Sequence, residues 1–411
     1  MADTATTRPM PSPDAIPFLP CLSTPRPNGS PALERTVQEV QAWLEREGIP
    51  VHRHRFTLRP YFMELLGLWM ALTGLLLPLA ALARWGWFGL ALAVVATAVP
   101  LLEVRTLRPT VSAVVRRPAH NLIAAFPAPH PEREVILAAH LDSKTELLDH
   151  VQRQLLLLMA LPAAALTVAS GLLTALEPLL PPGGPATVVR WLAVAASLPV
   201  AAYGMAMAAN LIGGRFSRHP STGAVDNGAA VAVLLALARR LRRREPTLAR
   251  TSVTLLFTVG EEAQLQGALA YVRDRVDWPL PTVAVNQEVL GQDGGYLLWE
   301  SDGTAMSGTP CDPALNLALE GAAEAVTGER LLRAPAISSD AFAFLRRGIP
   351  ATTLGSFDRE LGGRGLHSAL DHPDRVDPAR LAETVELLTR FLTDLDAHGL
   401  PHTAEAAKGG A

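Results

Sequence analysis

Seven side chains in this 411-residue sequence have types and positions suited to metal-assisted acid–base chemistry: His140, Asp142, Asp226, Glu261, Glu262, Glu288 and His367. The densest signal is Thr251–Val272. Val253 to Thr258 is a short, β-branched, nearly all-apolar run, which predicts a buried strand of a parallel sheet. Gly260 ends it, so Glu261 and Glu262 stand just past the C-terminal end of a core strand. Open α/β sheets place their ligands there. Consecutive residues in such a turn point in different directions, so one carboxylate can hold a cation while its neighbour reaches a bound water. Taken alone, the pair also suits a solvated helix N-terminus, where the helix dipole favours Glu.

Four of the others have plain readings one at a time. His367 is a loop histidine, Asp226 a helix cap, Asp142 a turn residue and Glu288 an edge position on a strand. Together they supply the imidazole and carboxylate donors that zinc takes. The two cysteines, Cys21 and Cys311, lie in unrelated contexts and form neither a disulfide framework nor a thiolate site. A two-zinc hydrolytic centre needs a carboxylate to bridge the ions. It also needs a carboxylate off the metal to take the water's proton.

The elements that must position these groups alternate. Ser30-Pro31 opens a helix that Gly48 closes, and strands are predicted at Val51–Leu58, Asn121–Phe126 and Glu134–Ala139. The last of these delivers His140 and Asp142. A helix follows Asp226 and another starts at about Ala263. Thr282–Val289 is a strand carrying Glu288. Pro313–Val326 and Ser338–Arg347 are helical, Ile349–Leu354 is strand-like, and Asp377-Pro378 caps the last helix. The pattern predicts an α/β fold, a mostly parallel mixed sheet flanked by helices.

Composition adds something unlike a soluble domain: 49% hydrophobic against 18% charged residues. Leu65–Leu82 with Trp87–Leu102, and Leu155–Leu176 with Trp191–Ile212, form two apolar pairs. Each run nearly matches a hydrocarbon layer of about 30 Å. The reading is four inserted transmembrane helices, hairpin 1 over 62–104 and hairpin 2 over 154–212. A single discontinuous α/β domain is then expected over 31–60, 105–150 and 213–398. The Pro/Ser/Thr-rich stretch 1–30 lacks an apolar signal region and reads as a disordered tail, and 399–411 as a flexible one. Two even insertions keep all pieces of the domain on one face. Arg53, Arg55, Arg59, Arg105, Arg108, Arg153, Arg215 and Arg218 flank that face, against Arg84 and Arg190 opposite. The positive-inside rule places the domain in the cytoplasm. A net charge of −3 without a basic block predicts no nucleic-acid partner. Scarce intramembrane charge argues against a transporter.

Six stretches, in order, resemble the M28 family of zinc aminopeptidases: AAHLDS (Ala138–Ser143), GAVDNGAAVA (Gly223–Ala232), FTVGEEAQLQGA (Phe257–Ala268), VNQEVLG (Val285–Gly291), SSDAFAFLRRGIPA (Ser338–Ala351) and GLHSALDHPDRVD (Gly365–Asp377). The resemblance implies two zinc ions bridged by Asp226. Glu262 and His367 would complete one site, His140 and Glu288 the other. Glu261 would be the general base, and Asp142 would hydrogen-bond the second nitrogen of His140. Glu288 stands where the family usually has Asp, and Ala341 where it often has His. The activity implied is an aminopeptidase on short peptides, with a peptide substrate and the lipid bilayer as partners. The alternatives are acyl transfer of the single-zinc glutaminyl-cyclase kind and a non-catalytic membrane receptor or scaffold.

Overall fold

A nine-stranded mixed sheet organises the chain in the computed structural model, which describes residues 16–304, 307–335 and 338–401. The first half runs α1 (Pro31–Arg46), β1 (His52–Leu58), α2 (Phe62–Leu82), α3 (Trp87–Thr106), β2 (Arg117–Phe126), β3 (Arg133–His140), α4 (His150–Leu158), α5 (Ala160–Leu176) and α6 (Gly184–Gly213). The second half follows with α7 (Ala229–Arg242), β4 (Thr251–Thr258), α8 (Gln266–Asp274), β5 (Thr282–Glu288), β6 (Tyr296–Thr304), β7 (Ser307–Pro310), α9 (Pro313–Thr327), β8 (Leu332–Pro335), α10 (Ala341–Leu345), β9 (Ala351–Ser356) and α11 (Pro378–His398).

The strand order is β1-β2-β4-β3-β5-β9-β6-β7, with β8 beside β6. The central four, β4-β3-β5-β9, are parallel, and the flanks pair antiparallel apart from β8. Alternate residues of β3 serve two cores. Val135, Leu137 and Ala139 pack in one with residues of α1, α7, α9 and α11, while Ile136 and Ala138 pack with those of α8 and α10. Both faces are covered, so the strand is apolar throughout. The block β6–β8 had no sequence signal. Tyr296–Thr304 carries Glu300, Ser301, Asp302 and Gly303, and its two partners β7 and β8 are only four residues each.

Register decides where the apolar helices attach. Leu58 pairs with Arg117, Leu122 with Phe257, and His140 with Thr258. The end of β1 and the start of β2 therefore lie at the sheet edge where β3 and β4 finish. α2 leaves and α3 returns at that edge, and α4 departs from the loop after β3.

Among the described residues, four helical stretches are long and apolar enough to cross a membrane: Phe62–Leu82, Trp87–Thr106, His150–Leu179 and Gly184–Phe216. α2 and α6 pack antiparallel at close range. A methyl group on Gly204 would meet the Met70 carbonyl oxygen at 2.4 Å, and one on Gly74 the Ala201 Cα at 3.1 Å. Small residues permit helix backbones to approach this closely. At the far end Glu177 pairs with Arg84 at 2.9 Å and Arg190 at 2.7 Å, tying the two hairpins together.

One expectation needs correction. The stretch 1–30 is not a tail throughout: 1–15 lies outside the described residues, but residues 16–30 are packed against the domain. Cys21 and Leu22 are buried, and Arg26 is fully enclosed. The segment packs Ile16, Phe18, Leu19, Cys21 and Leu22 against the main core and adds the hydrogen bonds of Arg26 and Asn28, none of which follows a helical or strand period. At the other end, 402–411 also lies outside the described residues.

Candidate metal centre

β3 ends at His140 and β4 ends two residues before Gly260, whose φ of 86° turns the chain sharply. A Cβ there would also strike Leu58 Cδ1 at 2.6 Å, so glycine is required. Asp142 organises the turn that follows. Its carboxylate accepts from the backbone N–H of Gly260 at 2.8 Å and of Glu262 at 3.0 Å, and from Asn28 Nδ2 at 2.7 Å. This corrects the bond assigned to Asp142 from the family pattern. His140 Nδ1 faces the backbone carbonyl of Asp142 at 3.0 Å, and the nearer carboxylate oxygen is 3.9 Å away. Asp142 thus sets the Glu261–Glu262 turn with its side chain and the His140 ring with its backbone.

Asp226 lies in the buried loop 224–228 that opens α7. Asp371 fixes this loop, accepting from Val225 N at 2.7 Å and Ser221 Oγ at 2.7 Å. The outcome is a shared carboxylate. Asp226 Oδ1 is 3.1 Å from His140 Nε2, and Oδ2 is 3.1 Å from His367 Nε2. Glu288 Oε1 lies 3.0 Å from the same His140 nitrogen and Glu262 Oε1 2.9 Å from that of His367. Two triads result, His140–Asp226–Glu288 and Asp226–Glu262–His367, each with ligand atoms within 4.8 Å of one another. The longer Glu288 reaches the cluster because Asn286 Nδ2 holds its other oxygen at 2.9 Å. Glu261 belongs to neither triad, and its Oε2 is 4.0 Å from His140 Nε2.

The donor set fits zinc. Asp226 Oδ1 and Glu262 Oε1 are buried without a hydrogen-bond donor although imidazole nitrogens stand about 3 Å away. The nitrogens are close but not aimed along an N–H bond, as groups converging on a third atom would be. Four carboxylates against two imidazoles also leave negative charge that cations would balance. Burial works against the charge on either imidazole, yet Glu288 and Asp226 at His140, and Glu262 and Asp226 at His367, raise both, His367 to about 10. Burial raises Glu261 well above the usual carboxylate range, with Glu262 and Glu288 adding to it against the pull of His140.

Residues unsuspected from sequence surround the cluster. Arg26 donates to Leu141 O at 2.5 Å, Thr222 O at 2.9 Å and Gly223 O at 2.7 Å, joining the His140 loop to the Asp226 loop. Glu146 Oε1 faces His367 Nδ1 at 3.8 Å and is itself held by Lys144 at 2.5 Å and Arg153 at 3.2 Å. Arg26 and Asn28 gave no motif signal. Asp371 lay inside the quoted GLHSALDHPDRVD stretch and was legible there.

The near ends of the apolar helices all touch this centre's loops. Gln264 Nε2 donates to Met63 Sδ of α2 at 3.2 Å. Leu107, just past α3, packs with Leu265 and Phe342. Arg153 of α4 lies 3.4 Å from His367 Nδ1, and Asn210 of α6 donates to Glu146 at 3.1 Å.

The fold is that of the zinc exopeptidases and glutaminyl cyclases, a mixed sheet flanked by helices. A glutaminyl cyclase from Porphyromonas gingivalis shares the fold with TM-score 0.54 at 14% identity, over 93% of this chain and 98% of that one. A leucine aminopeptidase precursor from Bacteroides thetaiotaomicron does so with TM-score 0.52 at 13% identity, over 94% and 98%. A zinc aminopeptidase from Bacillus subtilis gives TM-score 0.52 at 14% identity, over 94% and 96%. No curated protein matches the chain in sequence. Residues 208–392 match the profile of Peptidase family M28. The match takes in Asp226, Glu262, Glu288 and His367, while His140 lies before it, across hairpin 2. Family and neighbours support a zinc-dependent enzyme of peptidase or cyclase type.

Proposed function

We propose that this chain is a membrane-anchored zinc exopeptidase, an aminopeptidase that hydrolyses short peptides. The observation that carries the reading is Asp226, which faces a histidine with each oxygen while Glu261 stands apart from both triads. His140, Asp226 and Glu288 would hold one zinc ion, and Asp226, Glu262 and His367 a second. Bound zinc supplies Lewis acidity, lowering the pKa of water and polarising the scissile carbonyl.

The rest falls to the chain. Glu261, buried and proton-hungry, takes the water's proton as the water oxygen bonds to the carbonyl carbon. It returns that proton to the departing nitrogen as the C–N bond breaks. His140 keeps its tautomer through the Asp142 carbonyl. Around His367 Nδ1, Arg153 Nη1 lies at 3.4 Å and the Glu146 carboxylate at 3.8 Å, so this charged pair frames the ring. The four apolar helices anchor the protein in the bilayer, and the excess of arginine on the near side favours a cytoplasmic catalytic domain.

Single-zinc acyl transfer of the glutaminyl-cyclase type is the second reading, favoured by the shared fold. The complete His140–Asp226–Glu288 triad favours two ions. Purified protein in detergent, tested on peptides with free and blocked amino ends and on peptides beginning with Gln, separates the readings alongside zinc analysis. Glu261→Gln is expected to keep its zinc and lose turnover by about 10²–10⁴-fold. Full activity in that variant would remove Glu261 as the base.

A further inference from the structure

We propose that the centre acts on peptides held at the bilayer surface by an apolar or acylated segment, which reach it along α4. The inference rests on the peptidase and membrane readings above and adds the substrate class.

Three observations carry it. First, the cluster sits at the sheet edge from which the apolar helices leave, and α2, the end of α3, α4 and α6 all contact its loops. A centre so placed lies within a few residues of the hydrocarbon boundary. Peptides lying in that plane are therefore at reacting depth.

Second, α4 has two faces. His150 and Arg153 turn to the centre, with the His150 ring 6.5 Å from that of His367. Val151, Leu155 and Leu158, at helical spacing, form an apolar stripe that is exposed by 37%, 60% and 67%. Leu147, just before the helix, is 56% exposed. No residue of α4 is buried. Beside the centre, this stripe offers an apolar chain a surface to lie along.

Third, α4 runs directly into the apolar α5 through Met159, so its stripe continues the lipid-facing surface of the bundle. The occupant that fits both faces is a chain with an apolar anchor along the stripe and a polar end at the zinc ligands. A fully soluble short peptide would gain nothing from the stripe.

The test uses full-length protein in proteoliposomes and two peptides with the same amino-terminal residues. One ends in a carboxamide, the other in a lysine carrying a palmitoyl chain. A soluble aminopeptidase added to the same vesicles sets the baseline. The expected result is that the acylated peptide is favoured at least 10-fold in kcat/KM, through KM, beyond that baseline. Independently, a fluorophore on Leu155→Cys is expected to be quenched by nitroxide lipids. The native Cys21 and Cys311 are buried and leave the label specific. Equal turnover of both peptides, with Glu261→Gln inactive, overturns the inference and leaves the peptidase reading standing. Turnover of neither above Glu261→Gln removes both. A label quenched by aqueous iodide but not by nitroxide lipids overturns the route along α4.

Discussion

Asn210, near the end of the longest apolar helix, donates its side-chain N–H to Glu146 Oε2 at 3.1 Å and accepts from Leu148 N at 2.8 Å. Glu146 in turn donates its backbone N–H to His367 O at 2.9 Å. A helix long and apolar enough to cross a membrane is therefore linked to a candidate zinc ligand through a single residue. Asn210→Leu leaves a buried carboxylate oxygen without its donor, a loss of about 1–3 kcal/mol. Zinc affinity is expected to fall by about 10–100-fold through the loosened His367. Thermal unfolding in detergent and zinc competition titrations measure the two effects. Unchanged zinc binding would show that His367 is positioned without this helix.

Arg26 presents a second case of distant control. All three guanidinium nitrogens donate, to Leu141, Leu22, Thr24, Thr222 and Gly223 carbonyls. Arg26→Met strands several of these buried acceptors, and about 3–5 kcal/mol of stability should go with them. Arg26→Lys is not expected to rescue, because an ammonium lacks the planar fork that spans two loops. Denaturant unfolding of both variants decides, and a lysine variant as stable as wild type would refute the fork argument.

At the opposite end of the bundle, Glu177 is 1% exposed and shared by Arg84 and Arg190. Glu177→Ala leaves two partly exposed guanidinium groups without their acceptor, at a cost of about 1–3 kcal/mol. The melting temperature in detergent should drop, while zinc content at saturating metal should not change, since the clamp lies at the far end from the centre. Loss of zinc in the folded variant would contradict that separation.

Asp302 gives a pH signature outside the triads. It accepts from Ser339 N at 3.0 Å and Gly303 N at 2.7 Å, yet burial outweighs these bonds and pushes it up to about 7. In the unfolded chain the group titrates near 3.9. The folded protein therefore binds the extra proton between about pH 4 and pH 7. Stability from this group is full below that window and is lost as pH rises through it, by a few kcal/mol. Asp302→Asn should flatten the wild-type decline between pH 4 and pH 7. An equal slope in both proteins would show that Asp302 is ionised throughout.

Much of this was legible in the chain. The apolar run before Gly260 gave a core strand and placed Glu261 and Glu262 at its end, because both faces of a parallel sheet must be covered. Four apolar stretches gave four long helices, because length and hydropathy are local properties. The segment containing Arg26 and Asn28 looked like a tail, because its place depends on hydrogen bonds to loops more than a hundred residues away.

Residue types and spacing alone determined which side chains could do chemistry and where the central strands and the apolar helices run. Only the tertiary structure decided that Asp226 faces both histidines, that the Asp142 side chain braces the glutamate turn while its backbone carbonyl faces the His140 ring, and that the helix ends gather at the edge carrying this cluster. The reason is physical. Local order is written in periodicity, whereas which oxygen meets which nitrogen depends on strand register and on loops closed across hundreds of residues.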